Sequence, residues 1–123
     1  MTDRELLELA AKASGIMLGW DAMGAYQVLL GVGGSDVRWN PLDDDGAALR
    51  LAVQLLPKIT WARSLAGYEG HASATYLDEP GRRAGVIQAF NGDPFAATRR
   101  AIVRAAAAMA TTTVDQRTVD IPL

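Results

Sequence analysis

The 123-residue chain has no cysteine and a single histidine, His71. The first absence excludes a thiol nucleophile, a disulfide framework and cysteine-ligated zinc. The second excludes a two-histidine metal site built within one chain. Lysine is scarce too: two lysines and ten arginines face 14 acidic residues, for a formal net charge of −2 and an isoelectric point near 5.2. A chain without a basic excess lacks the electrostatic footprint that duplex nucleic acid requires. No apolar run approaches the roughly 18 residues of a membrane span, and no basic-then-apolar start marks a signal peptide. The expectation is a soluble intracellular protein with no membrane partner.

Half of the residues are hydrophobic, 21% are charged, and mean hydropathy is +0.06, which is a globular composition. One core is affordable at this length without metal or disulfide staples, burying roughly two-thirds of the unfolded surface. Yet 22 residues are alanine, and aromatics make up only 7%. Alanine lets backbones approach closely but buries little area, so the chain is expected to gain core by forming a homo-oligomer.

Thr2-Asp3-Arg4-Glu5 fits a capping box, and Leu6, Leu9, Ala10 and Ala13 follow at helical spacing up to Gly15, which predicts a helix over 3–14. From Ile16 to Trp39 short apolar runs are broken by Asp21-Ala22-Met23-Gly24 and by Gly31-Val32-Gly33-Gly34-Ser35, which reads as two or three short antiparallel strands. Gly31, Gly33 and Gly34 suggest a phosphate loop, but no Gly-Lys-Ser/Thr follows and no helix opens after Gly34.

Asn40-Pro41-Leu42-Asp43-Asp44-Asp45 starts a second helix, with acidic residues facing its dipole, an apolar stripe of Leu49, Ala52, Val53 and Leu56, and Pro57 as its end. Strands are predicted over 59–65, 72–77 and 85–90, with 66–70 as the first turn and Glu79-Pro80-Gly81 as the second. Asp93 caps the last helix and Pro94 takes its first position; Phe95, Thr98, Ile102, Ala105 and Met109 share a face down to about Ala110. Residues 111–123 show no periodicity and read as a tail, either disordered or adding a strand to a neighbour's sheet edge. The fold class is α+β, one domain over 1–110, in the order helix, hairpin, helix, three strands, helix.

Three segments resemble the phage ABA-sandwich domain family of small tailed-phage proteins: 1–13, the run 39–53 that begins Trp39-Asn40-Pro41-Leu42, and 95–107 with Thr98-Arg99-Arg100-Ala101-Ile102-Val103-Arg104-Ala105. They span all three helices in the family's order. The resemblance implies an α/β/α sandwich encoded by a phage and acting in the cytoplasm of a bacterial host. It brings no reaction and no catalytic residues, and 111–123 extends beyond the family's usual end.

The chain offers no catalytic constellation. No Gly-x-Ser-x-Gly elbow accompanies Ser64 or Ser73, and His71 is expected in a solvated hairpin turn. Asp43, Asp44 and Asp45 diverge by about 100° per residue around a helix start, so capping explains them better than a metal. The expectation is a non-enzyme with no cofactor and no metal.

Binding is better served. Arginine's planar fork suits phosphate, and aromatic faces suit bases. The candidate ligand-binding set is Arg38, Trp39, Trp61, Arg63, Tyr76, Arg99, Arg100 and Arg104, with Tyr68 a further aromatic face. The competing structural account has Arg100 and Arg104 pair with helix-start aspartates while Trp39 and Trp61 fill the core. Two functions follow: a homo-oligomeric protein that sequesters a nucleotide-type host signal, or a protein–protein module that inhibits a host enzyme or serves phage development. A nucleotide-cleaving enzyme using His71 ranks third.

Overall fold

A computed structural model describes residues 1–20, 27–29, 37–65, 68–79 and 82–120. Along the chain lie α1 (Asp3–Ser14), β1 (Leu18–Trp20), β2 (Gln27–Leu29), β3 (Val37–Arg38), α2 (Asp45–Leu55), β4 (Lys58–Leu65), β5 (Tyr68–Glu79), β6 (Arg82–Ala89) and α3 (Pro94–Asp120). This is the expected α+β order. The breaks at 21–24 and 31–35, the centres of the two later turns and residues 121–123 lie outside the described residues. No helix among the described residues is long and apolar enough to cross a membrane.

Local chemistry sets the helix ends. The Thr2 hydroxyl accepts from the Glu5 amide at 3.1 Å, and Gly15 closes α1 in the left-handed region at φ 75°. Asn40 folds the approach to α2: its side chain accepts from the Leu42 amide and its carbonyl from the amides of Asp43 and Asp44. Asp44 then caps α2 through the Gly46 amide at 3.1 Å. Asp93 caps α3 by accepting from the amides of Phe95 and Ala96, as expected.

The strands form two antiparallel meanders, β1-β2-β3 and β4-β5-β6. In the larger sheet β5 begins at Tyr68, so its hairpin with β4 is tighter than the 66–70 turn expected, and His71 sits within the strand opposite Ala62 and Ala89. Rows such as Ile59–Ala74–Val86 and Trp61–Ala72–Gln88 face α3, where Ala72, Ala74 and Val86 are buried with Ala97, Ala101 and Ala105. The alternate rows, Thr60–Ser73–Ile87 and Ala62–His71–Ala89, form the other face, on which Thr60, Ile87 and Ala89 are exposed.

The opposite side of α3 packs with α1 and α2 through Ile102, Val103, Ala106 and Ala107 against Leu6, Leu7, Ala10, Ala48 and Leu51. Helix α3 is therefore the central layer, with the sheet on one side and the helix pair on the other. All three helices stand on one side of the sheet, so the described residues do not enclose it in the α/β/α sandwich that the resemblance implied. The alanines of α3 have a packing role: both neighbours approach a helix whose side chains end at Cβ.

Two helical expectations are corrected. In α2 the buried residues are Ala47, Ala48, Leu51 and Ala52, whereas Leu49 and Val53 of the expected stripe are 63% and 78% exposed. The helix is apolar almost all round, so its sequence marks two possible buried faces. Helix α3 continues past Ala110 to Asp120, so 111–120 is neither irregular nor a strand. Thr and Val cost a helix only a few tenths of a kcal/mol each, and extending an existing helix needs no new nucleus. No proline or glycine intervenes before Pro122.

Candidate functional site

A cleft of about 470 Å³ opens where the start of α2, the middle of β4 and the first turns of α3 converge. Strand alternation supplies one wall. Ile59, Trp61 and Arg63 lie two residues apart on the inner face of β4, each opposite a small residue of β5: Ala74, Ala72 and Gly70. Helix α2 contributes Asp45, Ala48 and Leu49, and α3 contributes Pro94, Phe95, Thr98, Arg99 and Ile102. Phe90, at the end of β6, is buried and completes the lining.

Phe90 depends on Gly70. That glycine has φ 112°, its carbonyl accepts from the Phe90 amide at 3.1 Å, and a Cβ there would stand 2.9 Å from the Phe90 ring. Both the backbone conformation and the ring's position require glycine. A carboxylate oxygen of Glu69 accepts from the Gly92 amide, which ties the start of β5 to the turn leading into α3.

The lining is mostly carbon, and its polar groups are nearly all engaged. Trp61 is 52% exposed, yet its indole N–H donates to the Thr98 hydroxyl at 2.9 Å, and that hydroxyl donates to the Pro94 carbonyl at 2.7 Å. The exposed ring is thereby fixed to the first turn of α3. Arg99, with a side chain 18% exposed, donates through Nε to the Leu42 carbonyl at 2.9 Å and through Nη1 to Asp45 at 2.8 Å. Arg63 alone among the charged lining groups has no ion pair or hydrogen bond among the described residues. Leu49 and Phe95, the latter 71% exposed, form the apolar rim.

Of the eight residues expected from the sequence, the fold brings together Trp61, Arg63 and Arg99. Arg38 lies on β3 and pairs with Asp43 at 3.8 Å, away from the cleft lining. Trp39 is buried in the core formed by the three helices. Tyr76 packs against the core between α3 and the sheet. Arg100 reaches back to Asp3 at 2.9 Å, and Arg104 donates to the Ile87 carbonyl and the Gln88 side chain at 3.0 Å. Arg99 turns to the start of α2, and although Arg100 and Arg104 lie only about 40° apart around α3, their partners on α1 and β6 draw them in different directions, so the three guanidinium groups are engaged separately.

The structural account expected for these arginines holds for Arg100, while Arg104 pairs with β6 instead of an aspartate. The aspartates also divide: Asp43 pairs with Arg38, Asp44 caps α2 and Asp45 pairs with Arg99. Among the described residues no three His, Cys, Asp or Glu side chains come together as metal ligands. Across the sheet from the cleft, His71 lies on the Ala62–His71–Ala89 row.

Leu49, Phe90, Phe95 and Thr98 are site residues that sequence reasoning missed. Phe95 carried a signal, because a phenylalanine directly after a capping Asp-Pro lies at the exposed start of a helix. No family model, curated protein or solved structure matches the chain.

Proposed function

We propose that the protein is a non-catalytic small-molecule binding protein whose ligand occupies the cleft between α2, β4 and α3. The observation that carries this reading is the half-exposed Trp61, held in place by Thr98 on the wall of a cavity of about 470 Å³. Ligand pockets of this kind are concave, mostly apolar and preformed, with a few directed polar groups. A ring bound against an immobilised indole loses little entropy in ordering the protein. Adenosine-type nucleotides combine such a ring with an anion, and the resemblance of the three helix segments to phage proteins suggests capture of a host nucleotide signal in the bacterial cytoplasm. The exposed Leu49, Val53 and Phe95 favour a homo-oligomer as the working form.

Capture and release tests the reading. Purified protein is incubated with nucleoside monophosphates, cyclic dinucleotides and ADP-ribose, the unbound fraction is removed, and the protein is heat-denatured. The expected result is one ligand depleted from solution and recovered intact. Recovery of a converted product makes the protein an enzyme, and retention of nothing overturns the proposal.

A second reading, a protein–protein module acting on a host or phage protein, has one observation in its favour. Val53 lies one turn beyond Leu49 on α2, outside the cleft lining, and extends the apolar ridge past a small ligand's reach. Val53→Glu should abolish partner binding under that reading and leave ligand capture intact under the first.

A further inference from the structure

We infer that the cleft selects one ligand class: a planar aromatic ring bearing a single anionic group close to it. This rests on the small-molecule reading above and goes further by deriving the ligand from the spacing and engagement of the lining groups. Trp61 and Arg63 are alternate residues on one face of β4, about 6.6 Å apart along the strand. The indole plane is fixed by the bond to Thr98, so a ring stacked on it has a defined place. Arg63 lies two residues farther along the same wall, and among the described residues no carboxylate pairs with it. A carboxylate or phosphate standing from about two bonds from the stacked ring, as in an arylacetate, to about six, as in a nucleoside 5′-phosphate, falls within the combined reach of that separation and the flexible arginine side chain.

Charge sets the upper limit. Arg99 is committed to Asp45 and Leu42, Arg100 to Asp3, and Arg104 to β6. Among the described lining residues one guanidinium, Arg63, is thus left for the ligand, and the neutral Arg99–Asp45 pair offers no second cation to hold another anionic group. Polyphosphates and cyclic dinucleotides, whose anions are spread along the molecule, fit this arrangement worse than a ring with one acid. Carboxylate and phosphate share the required chemistry, since either accepts two hydrogen bonds from a guanidinium.

The test uses two matched pairs, AMP with adenosine and indole-3-acetate with indole-3-acetamide, measured by equilibrium dialysis against the full-length protein. Binding is also followed through the Trp61 indole N–H resonance. The expected result is that at least one acid binds about tenfold tighter than its neutral partner, as one charge-assisted contact allows. Arg63→Gln should remove that preference. Tighter binding of AMP identifies phosphate as the source, and tighter binding of indole-3-acetate identifies carboxylate.

Acids and neutral partners binding equally, with Arg63→Gln silent and the Trp61 resonance shifted, overturns the ligand class and leaves the small-molecule reading standing. Tighter binding of cyclic di-AMP than of either acid has the same consequence. If no probe binds and the Trp61 resonance stays fixed, both fail.

Discussion

Replacing Arg99 with methionine separates a structural arginine from a ligand-binding one. In the fold its Nε holds the Leu42 carbonyl at 2.9 Å and its Nη1 holds Asp45 at 2.8 Å, bridging α3 to the start of α2. The Asp45 carboxylate is largely exposed, so the ion pair itself contributes about 0.5–1 kcal/mol. The part-buried bond to Leu42 contributes about 1.5–2 kcal/mol because the donor is charged and its loss leaves a carbonyl unpaired. Arg99→Met should therefore lower unfolding free energy by about 2–3 kcal/mol in urea titration, with an unchanged slope. Asp45→Asn should lower it by about 0.5 kcal/mol, since the Leu42 bond survives. Arg99→Lys should fall between them, because one ammonium lacks the fork that reaches two acceptors. An Arg99→Met protein as stable as the parent but tenfold weaker in ligand binding would refute this assignment.

Other sites test the scaffold. Gly70→Ala should destabilise by at least about 2 kcal/mol in the same titration, from the positive φ and the displaced Phe90 ring, and should change the Trp61 fluorescence environment. Asp93→Ala removes both cap bonds to Phe95 and Ala96 and should cost about 1 kcal/mol. Ala101→Leu forces a larger side chain between α3 and the sheet, where Ala101 is fully buried; it should cost about 1–3 kcal/mol, read as a lowered melting temperature.

How far the fold can be read from sequence depends on whether a signal is local. Thr2, Gly15, Asp44, Asp93 and Pro94 act within a turn of where they stand, so the helix starts and the end of α1 are legible. The end of α3 is not, because Thr111, Thr112, Thr113 and Val114 are weak helix formers but not breakers. For α2, Ala47, Ala48, Leu51 and Ala52 compete with Leu49 and Val53 for the same label, and only the position of α3 decides between them. The site was less legible still. Trp61, Arg63 and Arg99 line the cleft, but Arg38, Arg100 and Arg104 differ from Arg63 only in whether a partner from another element reaches them. That pairing is a tertiary property with no counterpart in spacing.

The distribution of large and small apolar residues reverses the usual order. Among the described residues, thirteen of the 21 buried hydrophobic ones are alanine, while Leu49, Val53, Trp61 and Phe95 stand exposed. Burying a side chain the size of Val, Leu or Phe is worth about 1.5–3 kcal/mol, so leaving these outside forgoes substantial stability. Close packing on both sides of α3 explains why the core takes alanine, but not why Leu49, Trp61 and Phe95 gather around one cleft. Single exposed apolar residues need no explanation, whereas a contiguous group indicates contact. Phe95→Ser distinguishes the two accounts. If the ring is surplus, the substitution should change stability by no more than about 0.5 kcal/mol and leave ligand affinity unaltered. If the rim serves binding, stability should hold while affinity for the preferred acid falls about fivefold or more, the worth of one aromatic contact. Unchanged affinity in a protein that binds AMP or indole-3-acetate would remove Phe95 from the site and leave Trp61 as its sole exposed aromatic wall.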